Sequence, residues 1–183
     1  RSRSTSSTSN VQDLTKEIPK VPLLSGEKRD IVISNFASIL LGIILFNKDH
    51  KDEFPPNKED ILYSSKIPMM SIEDYLKRIV KYTKMDYANL INIFIYLDRI
   101  FLNENFVLCL NNVYRLLLGI TVLSIKFNED YKFKNNFYAK VGGISLFEMN
   151  TIEYNVYYRL KFDLFVKEEE YIYYYNKLLN YES

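Results

Sequence analysis

The chain has 183 residues and a formal net charge of +1, from 24 Lys and Arg against 23 Asp and Glu, and 48% of it is apolar. That length suits one domain with a tail, and the apolar share supplies a real core. The near balance of charge excludes a global field favouring nucleic acid or an anionic membrane, and a single cysteine, Cys109, excludes an internal disulfide framework and a cysteine-based zinc site.

Residues 1–10 are rich in Ser and Thr, carry two arginines and have nothing to bury, which predicts a disordered tail. Residues 11–25, with Pro19 and Pro22, read as an irregular or briefly helical strap. The chain does not begin with Met and reads as an expressed fragment. Lys28–Asn47 is expected as a first long helix. Its Ile31–Phe46 stretch is nearly continuous in apolar residues but shorter than the ~20 of a membrane span. Ser34, Asn35 and Ser38 interrupt it on one side, so it reads as a buried helix of a bundle. Asp49–Tyr63, with Pro55-Pro56 and several charges, reads as an exposed loop closing an N-terminal unit over 26–64.

Ser71-Ile-Glu-Asp74 is an N-terminal capping pattern. The helix it starts, to about Thr83, sets Ile72, Tyr75, Leu76, Ile79 and Val80 at helical spacing. A break at Lys84–Asp86 leads to a helix over Tyr87–Asn103. Asn111 or Asn112 is placed to cap a fourth, running to Phe127. Leu116, Leu117, Leu118, Ile120, Val122, Leu123 and Ile125 leave this fourth helix no polar face, which makes it the central rod of a bundle. Gly119 and Ser124 are small enough to admit close neighbours. A short helix over Asn135–Val141 follows, with Gly142-Gly143 expected to supply the φ > 0 positions that end it. Ser145 and Glu148 make a capping box for a helix over Ser145–Leu160, followed by an extended exit. A last helix spans Lys167–Tyr181, with Glu168, Glu169 and Glu170 at its positive end. No run alternates as strands do, so the class is all-α.

The motifs of catalysis are absent. His50 is the only histidine, and a pairing with Cys109, itself expected as a buried, inert thiol between leucines, is remote. Glu148 and Glu153 lie five apart with no Glu-x-x-His, which excludes a di-metal carboxylate bundle. Val141-Gly-Gly143 lacks the Lys-Ser/Thr of a phosphate loop. The 16 tyrosines fit a coding bias toward A/T-rich codons better than a base-stacking platform.

Several motifs do resemble one family. Tyr96-Leu-Asp-Arg99, Ser124-Ile-Lys-Phe127, Thr151-Ile-Glu153 and Phe162-Asp-Leu164 resemble, in order, four elements of the cyclin box. Pro68–Tyr82 and the Tyr138-Ala-Lys-Val-Gly-Gly-Ile-Ser145 run are similar to P-type (U-type) cyclins, such as the yeast phosphate-response cyclin. The resemblance covers about residues 65–166, leaving 167–183 as a C-terminal helix. It implies a five-helix bundle around a buried central helix, with extra helices at both ends. It also implies a nuclear and/or cytoplasmic, non-enzymatic subunit that binds and activates a cyclin-dependent Ser/Thr kinase, in the cell cycle or a nutrient response. No cofactor, metal, nucleic acid or membrane is implied, and the chain alone is expected to be a monomer. A cyclin-box scaffold or transcription-related protein without a kinase partner is the alternative. The apolar substrate-docking element of other cyclins has no counterpart, since the matching region reads Ile67-Pro-Met-Met-Ser71.

By the resemblance, Lys126 and Glu153 are polar anchors for the kinase, ringed by Leu123, Phe127, Phe162 and Leu164. Read alone, Lys126 is an exposed lysine at a helix C-terminus, Glu153 a solvated helix residue, and the two phenylalanines are equally suited to the core. Asp98, Arg99, Gly142 and Gly143 are expected to be structural. Arg78 is the expected partner of Asp98, with Arg115 in a similar role, and Tyr138 and Lys140 are expected to position the double-glycine turn.

Overall fold

A computed structural model describes Leu24, residues 26–103 and residues 106–181; the tail and strap expected over 1–25 lie, Leu24 apart, outside the described residues. Among the described residues there are seven helices and no strand: α1 (Gly26–Asp49), α2 (Ile72–Thr83), α3 (Ala88–Asn103), α4 (Val113–Asn128), α5 (Asn135–Gly142), α6 (Leu146–Arg159) and α7 (Glu168–Leu179).

Helix α4 is the rod the others cover. Every residue from Leu116 to Ile125 is buried, and α2, α3, α5 and α6 all pack on it. Its buried Thr and Ser hydroxyls are satisfied. Thr121 Oγ1 donates to Leu117 O at 2.7 Å, and Ser124 Oγ donates to Asn89 Oδ1 at 2.6 Å. Asn89 Nδ2 in turn donates to Glu129 Oε1 at 2.6 Å, which pins the end of α4 to the start of α3. Gly119 lets α6 approach: a Cβ there would lie 2.8 Å from Ile152 Cγ2 and from Val156 Cγ2.

Caps set several boundaries. The Ser71 hydroxyl accepts from Asp74 N–H at 3.0 Å and starts α2 at Ile72, while Lys84, left-handed at φ 52°, ends it. Asn112 precedes α4 without capping it by its side chain. Its amide is spent on the preceding loop, accepting from Cys109 N–H and donating to Val107 O, each at 2.9 Å. Only one glycine of the pair ends α5 by conformation. Gly143 has φ 69°, whereas Gly142 is the last helical residue. Gly142 is needed for space, because a Cβ there would collide with Leu118 Cδ2. Tyr138 is buried and braces the loop before α5, accepting from Phe133 N–H at 3.3 Å, rather than the turn after it.

The capping box of α6 is complete. The Ser145 backbone N–H and hydroxyl, followed by Arg115, hold the Glu148 carboxyl below its ordinary 4.5. A depressed acid stabilises the fold above its unfolded value, and this contribution is lost as pH falls through the folded value. Glu148→Gln should therefore be less stable than the parent chain at neutral pH. The gap should narrow as pH falls below the ordinary 4.5, as checked by urea melts from neutral to acid pH.

Helix α1 is less enclosed than its composition suggests. Val32, Ile33, Phe36, Ala37, Leu40 and Ile44 are buried against α2, α3 and α7. Ile31, Leu41, Leu45 and Phe46 remain 45–55% exposed. By length and hydropathy alone α1 would span a membrane, but a third of that stretch is buried here as one wall of the bundle.

The partners of Asp98 and Arg78 differ from expectation. Asp98 Oδ2 accepts from the Tyr174 hydroxyl of α7. Burial and that carboxylate hold the Tyr174 hydroxyl well above its ordinary value. Arg78 instead donates to Val141 O at 3.1 Å and lies over the Tyr82 ring. Arg99 makes an ion pair to Glu170 at 2.8 Å and donates to the carbonyls of Asp163 and Phe165. The Tyr96 hydroxyl donates to Leu164 O at 2.6 Å. The polar side chains of Tyr96-Leu-Asp-Arg99 thus clamp the chain after α6 and the start of α7. Arg115, from α4, pairs with Glu148 at 2.5 Å and donates to Ile61 O at 2.9 Å. Cys109 is half-buried, and burial pushes its thiol up.

Candidate functional site

The last turn of α4 and the middle of α6 border a groove of about 420 Å³. Lys126 and Glu153 meet across it, Nζ to Oε1 at 2.6 Å, with side chains 31% and 19% exposed. Neither charge is sealed inside and neither is isolated in water. The pair retains unused donors on the ammonium and unused lone pairs on the carboxylate. It can therefore offer a donor and an acceptor side by side to another chain.

Apolar residues surround the pair. Leu123 and Leu164, buried, form the floor, and Phe127, half-exposed, forms a wall. Phe162 is also half-exposed, so neither phenylalanine completes the core. Phe162 does not line the groove itself. It packs edge-on against Tyr157, which does, with centroids 4.8 Å apart at 86°.

The segment that carries Phe162 is not extended at once. Lys161 and Phe162 both have positive φ, 53° and 61°, in a tight turn where Phe162 N–H donates to Tyr157 O at 3.1 Å. Two consecutive left-handed non-glycine residues cost about 1–3 kcal/mol each. Leu160, buried beneath the turn, and the α3 clamp on 163–165 hold it in place.

Sequence reading found Leu123, Lys126, Phe127, Glu153 and Leu164, and the structure brings all five to one groove. It missed Tyr154 and Tyr157, which add aromatic walls. Tyr157 was within reach of spacing, since it lies four residues after Glu153 on the same helical face. It also missed Asn135, whose Nδ2 donates to Glu153 Oε2 at 2.5 Å. Nothing in the sequence links these two across 18 positions.

A larger cleft, about 860 Å³, opens between α1 and α2 beside Leu24. Of its cations, Arg29 and Lys77 are already paired with Asp30 and Glu73. Among the described residues no group of His, Cys, Asp and Glu is placed to hold a metal ion.

Comparison with known proteins agrees with the architecture. The family model for cyclins matches residues 5–164. Cyclin-U2-1 of Arabidopsis thaliana is 37% identical over 101 residues, covering 55% of this chain and 46% of that protein. Cyclin-P3-1 of Oryza sativa subsp. japonica is 34% identical over 67% of this chain and 58% of the relative. The PHO85 cyclin-like protein psl1 of Schizosaccharomyces pombe is 36% identical over 60% of this chain and 46% of the relative. The chain thus spans about half the length of the curated relatives it matches. Their family is regulatory rather than catalytic. A buried central helix with four helices around it and these likenesses agree: the chain belongs to the cyclin family, in its P or U type.

Proposed function

We propose that this chain binds a cyclin-dependent Ser/Thr protein kinase through the Lys126–Glu153 groove and activates it. The observation that carries the proposal is the 2.6 Å pairing of two half-open charges from α4 and α6 within an apolar surround. In an active kinase, a lysine–glutamate ion pair that involves the C helix must be in place for phosphoryl transfer. Lys126 donates to carbonyls at the end of a kinase helix or loop, and Glu153 accepts from backbone amides there. Phe127, Tyr154 and Phe162 exclude water around those bonds, the setting in which an interface contact counts most. Binding energy spent on the active geometry shifts the kinase toward it. We place the box that does this at residues 65–166.

A cyclin-box protein acting on nucleic acid would need a basic face, whereas 24 basic residues here face 23 acidic ones. The deciding experiment adds the purified chain to a panel of recombinant cyclin-dependent kinases. The panel includes the one that partners P-type cyclins in the yeast phosphate response, and phosphate transfer to a Ser-Pro peptide is measured. At least one kinase should be stimulated tenfold or more, on the order of what a population shift of ~1.4 kcal/mol supplies. Failure to bind or stimulate any of them, with salt-dependent DNA binding instead, would favour the scaffold reading.

A further inference from the structure

We infer that Asn135, the first residue of α5, is a positioning residue for partner binding: it holds Glu153 in line beside Lys126. The inference rests on the reading of the groove given above. Asn135 Nδ2 donates to Glu153 Oε2 at 2.5 Å and to Asn150 Oδ1 at 2.7 Å. The other carboxylate oxygen, Oε1, takes Lys126 Nζ at 2.6 Å. Each oxygen of Glu153 is gripped by a different donor, so the carboxylate cannot turn without losing one of them. Lys132 Nζ donates to Lys126 O at 2.8 Å, which ties the loop between α4 and α5 to the same spot. Donors from α4 and α5 thus meet on one α6 side chain, and the loop between them is tied to the backbone of Lys126.

The arrangement carries a cost that stability alone does not explain. Asn135 Oδ1 is buried and has no hydrogen-bond partner. Turning the amide over would set Oδ1 against a carboxylate oxygen, acceptor against acceptor, so Glu153 fixes the orientation that orphans it. A buried acceptor without a partner opposes folding, and a leucine would fill a similar volume without one. What the asparagine supplies, and leucine cannot, is a second donor for Glu153. A carboxylate accepts about four hydrogen bonds. Two are used here, and the rest point in a fixed direction toward whatever enters the groove. A side chain already ordered before binding loses less freedom on binding.

The alternative is that Asn135 only starts a helix. Aspartate separates the two, because an acid suits the first turn of a helix but would face the Glu153 carboxylate here. The test titrates the full chain and its variants against the recombinant kinase that the parent chain stimulates, with thermal melts alongside. Asn135→Leu should weaken binding about tenfold with an unchanged or raised melting temperature. Asn135→Asp should weaken it more, about a hundredfold. If Asn135→Asp binds as the parent does, or Asn135→Leu loses affinity only in step with stability, the inference is overturned. Glu153→Ala distinguishes the two failures. If it binds normally, the reading of the groove falls and the inference with it; if it binds weakly while both Asn135 variants bind normally, only the inference falls.

Discussion

Lys126→Glu should abolish kinase binding while the far-ultraviolet circular dichroism stays that of the parent chain. The substitution sets a carboxylate where Nζ now lies 2.6 Å from Glu153 Oε1. The partner loses its donor, and two like charges face the same carbonyl. Truncating one member of a hydrogen-bonded charge pair at an interface costs about 2–5 kcal/mol, so a fall of at least ~30-fold in affinity is expected from the lost bond, before the repulsion is added. The fold should survive, because Lys126 ends α4 with 31% of its side chain exposed, and pairs of that kind contribute at most about 1 kcal/mol. A pull-down with the stimulated kinase, followed by calorimetric titration, measures the effect. Undiminished binding would remove the groove from the interface.

Arg159→Met should cost the fold about 3 kcal/mol and leave the kinase interface in place. Arg159 Nη2 meets Asp60 Oδ2 at 2.5 Å, with side chains only 15% and 9% exposed. Its Nε donates to Asn155 Oδ1 at 2.7 Å, and its guanidinium lies over the Phe106 ring. The pair fastens the 50–63 loop to the end of α6. Without the arginine, the Asp60 carboxylate remains in a nearly dry place, with the Leu62 N–H donating to its Oδ1 at 2.9 Å. Breaking a buried pair from one side costs more than the pair is worth, since a desolvated charge is left behind. For a chain of this length the loss corresponds to roughly 6–12 °C in melting temperature. Adding Asp60→Ala should recover part of it, because the stranded charge is then removed. A melting temperature within a degree or two of the parent would show the pair to be incidental.

What the sequence made legible depended on whether the cause was local. Ser71 and Ser145 cap through residues three positions on, so the starts of α2 and α6 could be read directly. The apolar run through α4 carried its own conclusion, because a helix without a polar face has to be covered. Side-chain partners were another matter. Asp98 could be seen to need a donor, but that Tyr174 and not Arg78 supplies it depends on α7 crossing α3. Gly142 and Gly143 look alike in sequence, yet one is required by the nearness of Leu118 and the other by its own φ. The composition of α1 does not reveal how many neighbours it has, and a helix apolar on most sides was left with four large side chains half in water. Lys126 and Glu153 carry no signal of their own as an exposed lysine and glutamate. Only the surrounding motifs singled them out, and only the packing shows that they touch.

Because α2 and α3 cover α4 from earlier in the chain and α5 and α6 from later, the core around the rod closes only when both sides of the sequence are in place. A nick anywhere in 129–134 would leave Lys126 and Glu153 on separate pieces, joined only by the packing of α5 and α6 on α4.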